Sequence, residues 1–203
     1  MSASENNPQF YCPLTDQFIT IGEADLLVIN RRAKKDLPKA GEPVAQANIV
    51  LRRSLEQENE EIEEICLYFW NETEFTCFGQ TFPIFDCTNI LALAEDEIAG
   101  LVACKKVNDE LIIVVLNVYP DFQGQGIGRM LVKEALALGK KQGCTSVKVA
   151  TTNDDLPALC LYQKMGFRLT ELLPGVLLHH HDAELKGFAG LPVRDELRLE
   201  RPL

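Results

Sequence analysis

The feature that most constrains this chain is the stretch LNVYPDFQGQGIGRML at residues 116–131. An apolar run stops at Pro120, glycines occupy positions 124, 126 and 128, and an apolar-periodic segment follows. Glycine loses more backbone freedom on folding than any other residue. Glycines at alternating positions between a strand and a helix therefore imply a turn that needs bare backbone. The first N–H groups of a helix have no acceptor inside it, and the helix dipole favours negative charge there. Strand, glycine turn and helix together read as an anion cradle. Two familiar spellings of such a cradle fail. No Lys-Ser/Thr pair follows the glycines, as a P-loop requires. Gly124-x-Gly126-x-x leads to Arg129, where the dinucleotide fingerprint needs glycine or alanine, and the next strand, TSVKVATTN, ends without a ribose-binding acid.

The flanks supply the architecture. ANIVLRR, from residue 47, is a strand candidate. Ser54 with Gln57 spells a capping box, and Leu55, Ile62, Ile65, Cys66 and Phe69 follow at helical spacing. The glutamates among them fill the solvated faces. Residues 71–87 read as a loop rich in aromatics. NILALAEDEIAGLVACKKVNDELIIVVLNV then spells three strands in a meander with turns at Glu95–Glu97 and Asn108–Glu110. After the glycines, Leu131, Val132, Ala135, Leu136 and Leu138 make one apolar stripe, and Gly143 stands where that helix should stop. TSVKVA is a strand. NDDLPALCLYQKMG is a helix capped by Asp154 or Asp155, with Pro157 in its first turn and Gly166 at its end. FRLTEL and RDELRLERPL are two further strands. This order indicates an α/β or α+β domain with a mixed sheet. Residues 1–47, with a hairpin candidate in FITIGEADLLVIN and a basic linker at RRAKKDLPKAGEP, form an extension ahead of a domain spanning 48–203.

Composition narrows the partners. A net charge of −10 at pH 7 argues against nucleic acid or an anionic membrane as the main partner, and is compatible with a cationic substrate such as an amine. The seven cysteines are odd in number and contain no CxxC pair, so neither a disulfide framework nor a zinc site is signalled. Buried thiols in a reducing cytoplasm are the expectation. The start MSASENNPQF lacks the basic and apolar regions of a secretory signal, and the apolar run Leu111–Leu116 is too short to span a bilayer. His179, His180 and His181 could serve as a base or bind a metal. Neighbours on a strand point to opposite faces, so a surface role is read and no metal is expected.

Gln123-x-x-Gly126-x-Gly128 after LNVYPDF resembles the acyl-CoA-binding signature of the GNAT superfamily of N-acyltransferases. NDDLPALCLYQKMGF, residues 153–167, resembles the same superfamily's next motif: an asparagine, a helix, a tyrosine and a Gly-Phe pair. The resemblance covers roughly residues 48–171. It implies a central mixed, mostly antiparallel sheet with splayed strands, flanked by helices. It also implies an enzyme that moves an acetyl or other acyl group from acetyl-CoA to a primary amine by direct attack. The backbone of Gln123, Gly124, Gln125, Gly126, Ile127, Gly128 and Arg129 would hold the pyrophosphate, with Arg129 and Lys133 adding charge near phosphates. Leu116, Asn117 and Val118 would lie beside the pantetheine arm, and the Val118 N–H would polarise the thioester carbonyl. Asn153, Leu156, Ala158, Cys160 and Lys164 would line the other wall. Tyr162 matches the family's acid, and a phenol is protonated at neutral pH.

The strand ELIIVVLNV departs from the pattern of many relatives, which carry a carboxylate there. Glu110, Glu74, Asp86 and the histidines remain candidate bases. An acyl-CoA-binding sensor without efficient transfer is the alternative. The acceptor pocket is expected from residues 67–90 and 172–195, and the ends of the chain could pair subunits into a homodimer.

Overall fold

The apolar runs after residue 88 build the sheet on which everything else rests. The computed structural model describes residues 9–12, 17–20, 48–179 and 185–203. Its strands are β1 (Gln9–Cys12), β2 (Gln17–Thr20), β3 (Ile49–Arg53), β4 (Glu74–Cys77), β5 (Gln80–Pro83), β6 (Thr88–Ala94), β7 (Glu97–Val107), β8 (Glu110–Val118), β9 (Ser146–Thr152), β10 (Arg168–Leu173) and β11 (Glu196–Pro202). The helices are α1 (Asn59–Trp70), α2 (Ile127–Lys141) and α3 (Leu156–Lys164). The main sheet has seven strands in the order β10-β11-β9-β8-β7-β6-β3. Among the described strands, only β8 and β9 pair in parallel. This is the mixed, mostly antiparallel sheet flanked by helices that the sequence implied. No described helix is long and apolar enough to cross a membrane.

The meander forms as expected. Two-residue turns join β6 to β7 and β7 to β8, with Glu95 and Asn108 in left-handed backbone at φ 57° and 52°. Residues 71–87 differ from the expected loop. They contain the hairpin β4–β5, turned at Phe78 and Gly79 with φ of 52° and 71°. A phenylalanine in the first of these positions carries no turn signal, which is why the hairpin was not legible. The predicted capping box also differs. The Glu58 carboxylate, not Gln57, reaches back, accepting the Leu55 N–H at 2.7 Å, and two guanidinium nitrogens of Arg52 hold it there. A 3₁₀ turn at Glu56–Glu58 therefore precedes α1, which starts at Asn59. At the N-terminus, β1 and β2 pair antiparallel. The expected hairpin in FITIGEADLLVIN falls for the most part outside the described residues, as do His180 and His181.

The sheet carries different layers on its two faces. On one, Ile127, Leu131, Val132, Ala135 and Leu138 of α2 and Tyr162 of α3 join Val102, Cys104, Leu111, Ile113, Val147 and Val149 in the main core. Truncating Leu131, which is fully buried, to alanine would cost about 2–5 kcal/mol. On the other face, Ile62, Ile65 and Cys66 of α1 cover Leu91, Leu101, Ala103 and Val115. The β4–β5 hairpin covers Ile112, with Val114 and Ala150 alongside. Burial pushes the thiols of Cys66 and Cys87 up to about 11 and that of Cys77 up to about 12, which leaves them unreactive at neutral pH.

Candidate active site: a splayed strand pair under a helix N-terminus

Two irregularities in β8 make the site. The first is a bulge. Ala103 faces Val115 and the next residue, Cys104, faces Ile113, so Val114 is an extra residue in β8. Val114 and Val115 both turn toward the α1 side. Strict alternation resumes one step out of phase. Leu116 and Val118 then pack on the α2–α3 side, while Tyr119 packs on the α1 side and Asn117 bonds to Trp70 of α1. The second irregularity is a splay. β8 pairs with β9 only from Glu110↔Ser146 to Ile113↔Val149, yet β8 runs on to Val118 and β9 to Thr152.

The backbone groups exposed by the splay follow from hydrogen-bond parity. The Tyr119 N–H donates to the Ala99 carbonyl at 2.9 Å. In an antiparallel ladder alternate residues face the same neighbour, so Asn117 and Tyr119 bond toward β7. The N–H groups of Leu116 and Val118 point the other way, into the gap left by β9. Gly100 of β7 lets this segment lie close, since a Cβ there would come 2.6 Å from the Asn117 carbonyl oxygen and 3.3 Å from Val118 Cα.

The glycine loop sits directly after. Pro120–Phe122 form a 3₁₀ turn whose carbonyl at Pro120 takes the Gln123 N–H at 3.2 Å. The Gln123 side chain donates to the Val118 carbonyl at 2.9 Å and so ties the loop to the strand. Its own N–H is thus occupied. By contrast, none of the backbone N–H groups of residues 124–129 donates to another described residue. Gly124 and Gly126 have φ of 78° and 82°, and a Cβ on either would meet nothing within 4 Å. Gly126 is the N-cap of α2 and offers no capping side chain. The result is a row of free donors at a helix N-terminus, open on one side. Gly128 has another role: a Cβ there would touch Leu161 at 3.4 Å and Val118 at 3.8 Å, so this glycine seats α2 against α3 and β8. Ile127 anchors the loop in the core, and the Gln125 amide donates to the Asp121 carbonyl at 3.3 Å.

The α3 wall is built by Asp155, whose side chain caps the helix at the Ala158 N–H (3.1 Å) and accepts from Thr151. Burial, with Asp154 adjacent, raises the Asp155 carboxyl above the usual range. Tyr162 lies one side of this wall, 4 % exposed and 5.6 Å from the Phe167 ring. Its hydroxyl bonds to no other described residue, and burial pushes its pKa up further from an already protonated phenol. Ala158 packs on the core, Cys160 is half-buried and Leu156 is exposed. Asn153 is engaged in a way the sequence did not suggest. Its oxygen accepts the N–H groups of Arg194 and Asp195, each at 2.9 Å, and its amide donates to the Pro192 carbonyl, also at 2.9 Å. It therefore ties the segment before β11 to the end of β9. Outside the gap, Arg129, Lys133, Lys140, Lys164 and Arg201 line an open groove of about 640 Å³ along α2. Arg201, which sequence reasoning missed, comes from the last strand and donates to the Met165 carbonyl at 2.5 Å.

The α1 side of the site is aromatic. Tyr68, Phe69 and Tyr119 meet with ring centroids 4.9–5.3 Å apart. Trp70 stands edge-on to Phe75 at 6.4 Å, and its indole N–H donates to Asn117 Oδ1 at 3.0 Å. Burial, with Glu64 and Glu97 nearby, raises the Tyr119 phenol. The carboxylates expected as bases separate clearly. Glu110 opens β8, about 27 Å from Val118 at strand rise, and pairs with Lys148 at 2.6 Å. Asp86 accepts Lys105 on its carbonyl, and Lys105 faces Ile112 in the far half of β8. Glu74 adjoins Phe75, which touches Trp70.

A splayed parallel strand pair beneath a glycine-capped helix defines an acyltransferase-type fold, and comparison with known proteins agrees. The family model described as "Acetyltransferase (GNAT) family" matches residues 38–167. The uncharacterized N-acetyltransferase YvbK of Bacillus subtilis is 34% identical over 109 residues, covering 53% of this chain and 70% of that protein. A Bacillus subtilis acetyltransferase solved in complex with CoA superposes with a TM-score of 0.65 at 26% identity, over 76% of this chain and 99% of that one. A GNAT acetyltransferase from Elizabethkingia anophelis with acetyl-CoA bound shares the fold, with a TM-score of 0.59 at 20% identity over 77% of this chain and 99% of that one. The chain belongs to the GNAT family of acetyltransferases.

Proposed function

We propose that this protein transfers an acetyl group from acetyl-CoA to a primary amine. The observation that carries the reading is the pairing of free N–H groups at 124–129 with the outward N–H groups of Leu116 and Val118 in one splayed gap. The first set suits the CoA pyrophosphate, with Arg129 and Lys133 adding positive charge outside it. The second set suits the pantetheine arm and the thioester carbonyl. The amine nitrogen attacks that carbonyl carbon, and negative charge gathers on its oxygen, where the Val118 N–H donates. The C–S bond breaks, and the thiolate takes a proton from the Tyr162 hydroxyl. That phenol is buried, bonded to no described residue and protonated throughout the neutral range. The amine's surplus proton goes to Glu74, directly or through water. Of the three carboxylates considered, it is the one at the head of β4, exposed to solvent, whose neighbour in sequence, Phe75, packs against Trp70.

The blank β8 strand supports the second reading, an acyl-CoA-binding module with little turnover, because no carboxylate of β8 lies near the gap. Release of free thiol from acetyl-CoA across a broad panel of primary amines separates the two. Amine-dependent release supports the enzyme. Binding of acetyl-CoA with no release from any amine supports the module.

A further inference from the structure

On the α1 side of the site, the Asn117 amide has incomplete hydrogen bonding among the described residues. It is 4% exposed, its Oδ1 accepts the Trp70 indole N–H, and its Nδ2 is buried without a partner. The orientation of the amide is fixed by chemistry. An indole N–H can only donate, so the atom facing Trp70 must be the oxygen, and both amide hydrogens are turned elsewhere. A buried donor left unpaired destabilises the fold, so its persistence points to an incoming acceptor. The bulge at Val114 decides where that acceptor comes from. It turns Asn117 to the α1 side, away from the glycine loop, while its neighbours Leu116 and Val118 keep their N–H groups in the gap. Trp70 is 49% exposed although its edge touches a buried residue. The ring therefore leads from solvent to the amide, with Phe75 beside it and Tyr68, Phe69 and Tyr119 nearby on the same face.

We propose that Asn117, held by Trp70, binds the acceptor, and that the preferred acceptor is a primary amine with a carbonyl or hydroxyl oxygen on the carbon next to its amine-bearing carbon. This rests on the acetyltransferase reading and narrows its substrate class. Asn117 is flanked in sequence by the residues whose N–H groups face the thioester, so an amine poised for attack lies within a side chain's length of Nδ2. An oxygen three bonds from the attacking nitrogen meets the free donor. An amine without that oxygen leaves the donor unpaired, and the site discriminates against it.

The test uses the full chain with acetyl-CoA and primary amines in pairs that differ only in that oxygen, such as aminoacetone against 2-methylallylamine and ethanolamine against propylamine, with every rate referred to the free-base concentration of the amine. The wild type is expected to favour the oxygen-bearing member by roughly tenfold in kcat/KM. Asn117→Ala should bring the ratio near one through loss on the oxygen-bearing member, with the KM for acetyl-CoA unchanged. Trp70→Phe keeps the bulk and the amide but frees its orientation, and should lower the ratio by about half its logarithm. Equal rates on both members in the wild type would overturn the proposal. So would an Asn117→Ala that slows both members alike, which would put the amide on the thioester, or one that raises the KM for acetyl-CoA, which would put it on the cofactor. Acetyl-CoA binding with no transfer to any amine would overturn the acetyltransferase reading and this proposal with it.

Discussion

The two sides of β8 present hydrogen-bond donors in different ways. On the α2 side, the donors are backbone N–H groups at 124–129 and at Leu116 and Val118, exposed by glycine, by a helix start and by a missing strand partner. On the α1 side, the surface is made of side chains: Trp70, Tyr119, Phe75 and the Asn117 amide. Backbone donors depend on chain conformation and so on a few residues with special φ. Side-chain donors depend on what packs behind them and can change one at a time. A cosubstrate shared by a whole family suits the first side, and an acceptor particular to one protein suits the second.

The sharpest way to break this comparison is Gly126→Val. The φ of 82° strains a β-branched residue by about 1–3 kcal/mol, and the new side chain projects into the open space beside the free N–H row. Binding of CoA, followed by calorimetry, should weaken by about a hundredfold or more while the melting transition stays cooperative. Normal affinity would move the pyrophosphate elsewhere. Tyr162→Phe comes next. A thiolate is already a fair leaving group, so kcat should fall by about tenfold to a hundredfold, the low end for general acid catalysis. Binding of CoA should hold. Since burial raises this phenol, its deprotonation should give no alkaline limb in the wild-type rate profile below about pH 10.

Gly100→Ala tests whether the sides share one strand. Its Cβ would press on the Asn117 carbonyl and Val118 Cα. Overpacking of this kind costs about 1–3 kcal/mol and should lower Tm by about 3–10 °C. Cosubstrate and acceptor KM should both rise; a rise in one alone would mean that the sides are independent. The smallest effect is expected from Glu58→Gln at the start of α1. Arg52 holds the Glu58 carboxyl down at about 2 from its ordinary 4.5. That stabilisation is present above pH 4.5 and is lost as pH falls toward 2. Because the pair is partly exposed it contributes at most about 1 kcal/mol. Urea midpoints at pH 6 and pH 3 should converge in the variant, with both sides of the site unaffected.

The α2 side, which we propose holds the cosubstrate, was legible because conformation leaves marks in sequence. Gly143 and Gly166 take the left-handed backbone that their places at helix ends suggested, and Gly124 and Gly126, read as a turn needing bare backbone, take it too. The capping by Asp155 and the meander turns also followed from short-range rules. The α1 side, where we propose that the acceptor binds, was not legible, and the reason is the bulge at Val114. Period-two reading of ELIIVVLNV puts Asn117 on the face of Leu111 and Ile113, among the residues packed on α2. One extra residue reverses this, and an all-valine bulge spells nothing that distinguishes it from a plain strand. Asn153 is the other instructive case. Its place in a family motif was visible, but its three bonds to residues 192–195 are contacts across more than 38 positions, which no local pattern encodes.

The account stands on backbone N–H groups gripping the pyrophosphate of CoA. The direct measurement is a calorimetric titration of the full chain with CoA and, separately, with pantetheine, which has the same arm and thiol but no pyrophosphate. The prediction is saturable binding of CoA in about the micromolar range and no measurable binding of pantetheine at the same concentrations. Equal affinity for the two, or no heat with CoA at millimolar concentration, would contradict it.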